Sequence, residues 1–326
     1  MASQPVMDFR LKLEIDLKDS KTGIVIEDEY ANPYKGLDID FEIVKSYEPT
    51  PQASTITIYN MSIDTYNLIY QKAEAFRLSC ARGKDKDYIP FYVGYPIRAT
   101  KVSKGTILTA NQGFMAQDAN AGRRGQNDLE TTITLMSYGF AQLFKSYRTS
   151  VSTEIVINDC IEAFGLPKGN MDKLQHIMLP AGYSIRGDVA KTLDNLGNRL
   201  GFYWNVNDMQ FNIYDVKRSQ YKTYGITLNG NNSSTPERQD DVFKGHTKTI
   251  QKASKKKGIK GVKASWVEVQ RQGFKINTQL LAYLQCGSTC YCDFDMADVK
   301  GEKYIYKIRH VGSNTGVNCY SEIYCL

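Results

Sequence analysis

Histidine and tryptophan are scarce in this chain of 326 residues: three of the first and two of the second. With only His176, His246 and His310, none in a zinc-protease spacing, imidazole-based acid–base or metal chemistry has little to be built from. Each reads as a surface or sheet histidine. A nucleophile elbow is absent. The "GRRG" of Gly122 to Gly125 lacks the lysine, the strand and the helix of a phosphate loop, and "SKKK" (Ser254 to Lys257) is a Ser-x-x-Lys match that chance produces easily. No apolar run approaches the ~20 residues that span a bilayer, so no membrane partner is expected. The opening "MASQPVMDFRLKLEIDLKD" has no apolar core of the secretory type. Synthesis in a reducing cytosol is therefore expected, with the seven cysteines, an odd number, kept as thiols. Charge is also nearly balanced: 41 Lys and Arg against 35 Asp and Glu leave +6, without the concentrated basic stripe of a nucleic-acid binder.

What is present is strand pattern. The length suggests two or three domains, and 42% hydrophobic with 23% charged residues is an ordinary globular balance. Tyrosine is abundant, at 22 residues, which leans toward sheet. Phe9, Leu11, Leu13 and Ile15 alternate with charged residues, as do Leu37, Ile39, Phe41 and Ile43, and Ile56 and Ile58 mark the return strand after "SYEPTPQA". Ser62 is a good N-cap for a helix carrying Tyr66, Ile69, Tyr70 and Ala73 on one face. Strands are expected again near "FRLSC", "PFYVGY", "KGTILTA" and "LETTITLMSY", with "QDANAGRRGQN" a polar loop.

Near residue 150 the period changes. Val156, Cys160, Ala163 and Phe164 fit a helix closed by Gly165 and Pro167. Val189, Leu193, Leu196 and Leu200 fit a second, between Asp188 as N-cap and Gly201 as stop. "FYWNV" and "MQFNIYD" read as a hairpin around Asn207-Asp208. Strands return from about residue 219, although the basic stretch "DDVFKGHTKTIQKASKKKGIKGVKASW" reads as partly loop, and the last 26 residues read as a hairpin. The fold class expected is mainly β with a small α+β insertion: residues 1–150, an inserted unit 151–218, and 219–326.

Four groups of residues could carry chemistry or binding. Asp38, Asp40 and Glu42 share one strand face, which reads as solvated and not as a catalytic pair, because period-two alternation already accounts for it. "DFDMAD" (Asp293 to Asp298) lacks the glycine and final glutamate of a calcium loop and reads as a hairpin corner. Cys290 and Cys292 share a face, as would Cys319 and Cys325. If the two strands pair, a thiolate cluster could form, but C-x3-C-x-C from Cys286 is not zinc-knuckle spacing, and buried cysteine also packs as a small apolar residue. Lys252, Lys255, Lys256, Lys257, Lys260 and Lys263 form the densest charge run. Without interleaved aromatics they read as a solvated loop or a docking arm for an acidic partner, not a nucleic-acid platform.

The order of an alternating strand, a proline-containing break, "TITIYN", "MS" and a helix resembles the N-terminal region of phage tail baseplate hub proteins. "YVGY" (Tyr92 to Tyr95), "KGTI" (Lys104 to Ile107), "DLETTITLMSYG" and "YIYKIRHVGSNTGVNCYSEIYC" with His310 are similar to later strands of that family, and "GDVAKTLDNLGNRLGFYWNVNDMQFNIYD" resembles the helix and hairpin of its inserted domain. "NSSTPE" stands where a "GLIG-x-P" phrase is frequent. The resemblance implies two tail-tube-like β-barrel or sandwich domains flanking the insertion, and a homotrimeric ring joining a six-fold tail tube to a three-fold central spike. It implies no enzyme activity and no cofactor. The partners implied are the tail tube or tube-initiator protein, the spike, tape-measure and baseplate wedge proteins, and DNA that passes without sequence-specific binding. The location implied is the virion tail baseplate, assembled in the host cytoplasm. Two alternatives are a tail-associated peptidoglycan hydrolase and a metal-bearing tail-tip component using the C-terminal cysteines.

Overall fold

A computed structural model describes residues 9–18, 23–27, 37–46, 52–82, 87–96, 111–115, 128–136, 141–207, 210–215, 223–251, 263–314 and 319–326. The first third holds β1 (Phe9–Leu17), β2 (Ile24–Glu27), β3 (Ile39–Ser46), β4 (Ala53–Tyr59), α1 (Ile63–Lys72), β5 (Ala73–Arg82), β6 (Ile89–Pro96), β7 (Asn111–Met115) and β8 (Asp128–Met136). Next come β9 (Gln142–Ser146), β10 (Val151–Ser152), α2 (Thr153–Phe164), β11 (Lys168–Met171), β12 (Met178–Leu179), β13 (Ser184–Asp188), α3 (Val189–Leu200), β14 (Phe202–Asn207) and β15 (Gln210–Asp215). The chain ends with β16 (Thr223–Asn229), β17 (Glu237–Gln251), β18 (Lys263–Gln279), β19 (Thr289–Phe294), β20 (Val299–Ser313) and β21 (Tyr320–Cys325). The fold is mainly β, as the alternation predicts.

The local reasons are those visible in the residues. Leu11, Leu13, Ile15 and Leu17 of β1 are buried while their neighbours are partly exposed, so the strand has one core face. Ser62 caps α1, its Oγ accepting the Thr65 amide at 3.1 Å. Asp188 caps α3 by accepting the Ala190 amide at 2.9 Å, and Gly201 ends it with φ at +82° and its N–H bonded to Gly197 O. α2 is closed by Gly165 in the same left-handed conformation.

Among the described residues fourteen strands join into one sheet, whose main path runs β17-β18-β21-β20-β3-β4-β8-β6-β5-β1-β2. The joint between the first and last thirds of the chain is β3 against β20, antiparallel from Lys307↔Ser46 to Ser313↔Asp40. Three hydrophobic clusters form. One fills the inner faces of β1, β3, β4, β5, β6 and β8. A second lies on β18 to β21. The third packs α2 and α3 on β14 and β15, with the Trp204 and Phe211 rings stacked at 5.5 Å. Leu280 and Ala282 belong to the first cluster and Leu281 and Leu284 to the second, so this short segment straddles two cores. Each large aliphatic side chain fully buried in these clusters contributes roughly 1.5–3 kcal/mol.

Both flanks of the basic stretch read as partly loop are strand: β17 and β18 pair from Glu237↔Lys275 to Gln251↔Lys263, and residues 252–262 between them lie outside the described residues. Their lysines obscure alternate β-branched positions such as Thr247, Thr249, Val267 and Val269, whose strand preference prevails. The "SYEPTPQA" break, the "KGTILTA" strand, the "QDANAGRRGQN" loop and the turn at Asp208 fall largely or wholly outside the described residues.

Candidate functional site

Among the described residues a dense polar network lies at the β3–β20 joint. Arg309 on β20 donates from Nε to Glu42 Oε1 on β3 at 2.7 Å and lies 3.1 Å, through Nη1, from Glu322 Oε1 on β21. The guanidinium, 267 positions beyond Glu42 in the chain, thus ties β3 to the consecutive strands β20 and β21. The hydrogen bond from Arg309 holds the Glu42 carboxyl below its ordinary value, against the opposing effect of burial. Beside it, Tyr59 donates its hydroxyl to Asp40 Oδ2 at 2.8 Å. The Asn314 carboxamide accepts from the Ile39 amide at 2.8 Å and donates to Leu37 O at 2.9 Å. Of the three acids read as a solvated face, Asp40 and Glu42 are therefore engaged within the fold, and Asp38 accepts the Tyr59 amide through its backbone carbonyl at 2.9 Å.

Side-chain packing is close here too. A Cβ on Gly312 would stand 2.7 Å from Phe41 Cζ and 2.8 Å from Cys319 Sγ, so the missing side chain leaves the room that the Phe41 ring and the Cys319 thiol occupy.

On the inner face His310 is completely buried. Its Nδ1 is 2.8 Å from Ser321 Oγ, which also accepts the Leu281 amide at 2.9 Å. Its ring meets Phe91 of β6 edge-on at 5.9 Å. Burial, and secondarily the charge of Lys45, push the imidazole well below its ordinary value, so it is neutral. Lys45 is itself only 3% exposed. It continues the inward series Ile39, Phe41, Ile43, a signal that strict alternation on β3 carries and that went unused in the sequence reading.

Lys45 also lines a small cavity of about 30 Å³, open to solvent, where the β14–β15 hairpin meets both β regions. The rest of its wall is Asn207, Gln210, Asn212, Tyr214, Gln285 and Cys286. Asn207 Nδ2 donates to Ser46 O at 3.2 Å, docking the hairpin on the end of β3. Asn212 Oδ1 accepts the Asn170 amide at 2.8 Å. Gly287, at φ +89°, carries the segment after Cys286 against Tyr214, whose ring would be 3.2 Å from an added Cβ.

The cysteines separate. Cys290 and Cys292 are buried on β19 with their sulfurs 4.0 Å apart, and Cys325 from β21 is hydrogen-bonded to both. Hydrogen bonding to Cys292, then burial, hold the Cys290 thiol above its ordinary value, and Cys325 is pushed up by Cys290, then Cys292, then burial. Cys319 does not join them. It packs against the first cluster and donates to Ser313 O at 3.3 Å. Six residues along an extended strand cover about 20 Å, too far for both ends to reach one group. Among the described residues no three His, Cys, Asp or Glu side chains are arranged to hold a metal ion. "DFDMAD" forms the corner between β19 and β20, where Lys300 pairs with Asp295 and lies 3.8 Å from Asp293. Lys255, Lys256, Lys257 and Lys260 lie outside the described residues.

No protein-family model matches the sequence, and no curated protein matches it. Solved structures do. The chain is similar to the 43 kDa tail protein of prophage MuSo2 from Shewanella oneidensis, with TM-score 0.54 and 10% identity over 97% of both chains. It is similar to a tail protein from Neisseria meningitidis MC58, with TM-score 0.52 and 8% identity over 97% of this chain and 96% of that one. A chain of the lidded Francisella PdpA–VgrG complex aligns with TM-score 0.55 and 9% identity, over 99% of this chain and 53% of that one. Such distant identity speaks for the fold alone, which this chain shares with those two tail proteins and with about half of the chain from the PdpA–VgrG complex.

Proposed function

We propose that the chain is the structural hub of a phage tail baseplate. Three copies form a ring that joins a six-fold tail tube to a three-fold central spike. The observation that carries this reading is the single sheet running through both β regions, locked at the β3–β20 joint by seven residue pairs and the Arg309 bridge. An adaptor between symmetries needs two strand-rich units per chain held in one fixed relation, so that three chains present six. The units are residues 1–150 and 219–326, tube-like, with 151–218 inserted between them. The fold shared with the two bacterial tail proteins, and with part of a chain from a VgrG complex, supports a tail role and a spike as neighbour.

The role is structural and not enzymatic. The other partners are the tube or tube-initiator protein, tape-measure and wedge proteins, and DNA in passage. Loops and the inserted unit carry the docking surfaces, and the acidic face of Asp38, Asp40 and Glu42, half-buried at β3 with Asp40 and Glu42 also bonded to Tyr59 and Arg309, fronts solvent or the lumen, where negative charge repels DNA. The protein is assembled in the host cytoplasm and ends in the virion tail baseplate. Immunogold labelling of intact particles tests this: gold at the distal tail end supports it, and gold along the shaft, on the capsid or on no particle contradicts it.

A further inference from the structure

We infer that β17 of one copy pairs edge to edge with β2 of a second copy, so that the chain associates head to tail. The inference deepens the hub reading, on which it rests for the closing of a ring, by naming the strands that meet. Its first support is the sheet order. Among the described residues the main path has its two ends at β17 and β2, and each of them pairs on one side, β17 with β18 and β2 with β1. A terminal strand presents a row of backbone N–H and C=O groups that a further strand can take up. The second support is the length of the last hairpin. Among the described residues β21 accompanies β18 from Phe274 to Gln279, whereas β17 stays with β18 for nine further pairs, Phe243↔Arg271 to Gln251↔Lys263. That is about 30 Å of two-stranded ribbon, which gains stability from a third strand.

The third support is charge. From Phe243 to Gln251 β17 carries Lys244, His246 and Lys248 and no carboxylate. β2 ends on Glu27, and Asp28 and Glu29 follow in the sequence. Two β17 strands set side by side would oppose lysines to lysines, and two β2 strands would oppose acids to acids, both unfavourable across a sheet. β17 against β2 opposes unlike charges. Lysine on an edge strand discourages indiscriminate pairing, and the partner it still admits is the acidic edge. One antiparallel register suits both strands, with Val25 opposite Ile250 and Glu27 opposite Lys248, because each strand's two residues share a face by period two. Val25 is 55% exposed, a large apolar residue on a terminal strand, and Glu27 is exposed as well. The two surfaces differ, so the contact is heterologous, and such contacts close into a ring where the rotation permits.

Cysteine trapping on the full chain tests this, because a disulfide captures even a weak contact. Val25→Cys and Ile250→Cys are made separately, mixed in equal amounts at high concentration and exposed to a mild oxidant, and the product is read on a non-reducing denaturing gel. The mixture should give about fivefold more covalent dimer than either variant alone, because only unlike edges bring the thiols within disulfide reach. High salt should lower that yield. Adding Glu27→Lys to the first variant should cut the yield about fivefold, and adding Lys248→Glu to the second should restore it. Should a cysteine variant fail to fold, wild type treated with a zero-length carbodiimide should give a dimer band in which the Glu27 peptide is joined to the Lys248 peptide. No dimer from the mixture, equal dimer from either variant alone, indifference to the Glu27–Lys248 exchange, or a wild type without that junction would each overturn the contact. A copy number other than three on the tail axis, with the junction present, would contradict the hub reading and leave the contact standing.

Discussion

His310 should make the union of the two β regions sensitive to mild acid. The side chain is completely buried between Phe91 of β6, Ser321 of β21 and Lys45 of β3, and its imidazole value is depressed well below 6.5 by burial and then by Lys45. In the unfolded chain the same imidazole takes up a proton near pH 6.5. For a group with a depressed folded value, stability is fully present above the unfolded value and is lost as pH falls toward the folded one. Over that window the loss approaches ~1.4 kcal/mol per pH unit, or ~2 kcal/mol between pH 6.5 and pH 5. That is a substantial part of the 5–15 kcal/mol typical of a folded domain. Urea denaturation of wild type and His310→Gln at pH 7.0, 6.0 and 5.0 measures it. Glutamine does not titrate, so the variant, although less stable at pH 7, should lose about 2 kcal/mol less than wild type on acidification to pH 5. His176 and His246 are common to both proteins and cancel in the comparison. Equal pH slopes would refute the reasoning, since they would mean that His310 is protonated as readily in the folded protein as in the unfolded one.

Three further outcomes are expected. Gly312→Ala places a methyl within 2.8 Å of Phe41 Cζ and Cys319 Sγ and should destabilise by about 1–3 kcal/mol in thermal or chemical denaturation. Arg309→Met should exceed Glu42→Gln in its effect on the unfolding midpoint, because it leaves the nearly buried Glu322 without its cation. Exposure of the Glu42 pair limits the second change to under ~1 kcal/mol. The Glu42 contribution is present above pH ~4.5 and fades as pH falls through its lowered value, so Glu42→Gln should flatten the acid limb of the stability curve. Replacing Lys255, Lys256 and Lys257 with Ala should leave the circular-dichroism melt unchanged and make partner binding less salt-dependent by surface plasmon resonance.

The elements that could be read from sequence are those fixed by local rules. Strict alternation located β1, β3 and β4, and cap chemistry at Ser62, Asp188 and Gly201 located helix ends to the residue. What escaped is long-range. Nothing near Glu42 signals that its partner is Arg309, 267 positions away. The pairing of β3 with β20 follows from mutual burial of their inner faces, which no local period encodes. Lys45 was readable in principle, as the next inward position after Ile43, but a lysine there looks like the end of the strand until the cavity is seen. Cys325 reaches Cys290 and Cys292 while Cys319 does not, because β21 spans two cores and places its ends in different ones. The length of β17 and β18 was hidden by lysines that mask β-branched alternation.

The copy number of the chain on the tail axis tests the hub reading most directly. Cryo-electron microscopy of assembled tail tips, not of the isolated subunit, is the required measurement, because ring closure can depend on a neighbouring protein. Three copies around the axis, each presenting two strand-rich units to a six-fold tube, is the predicted result. Six copies, or density away from the central axis, would contradict it.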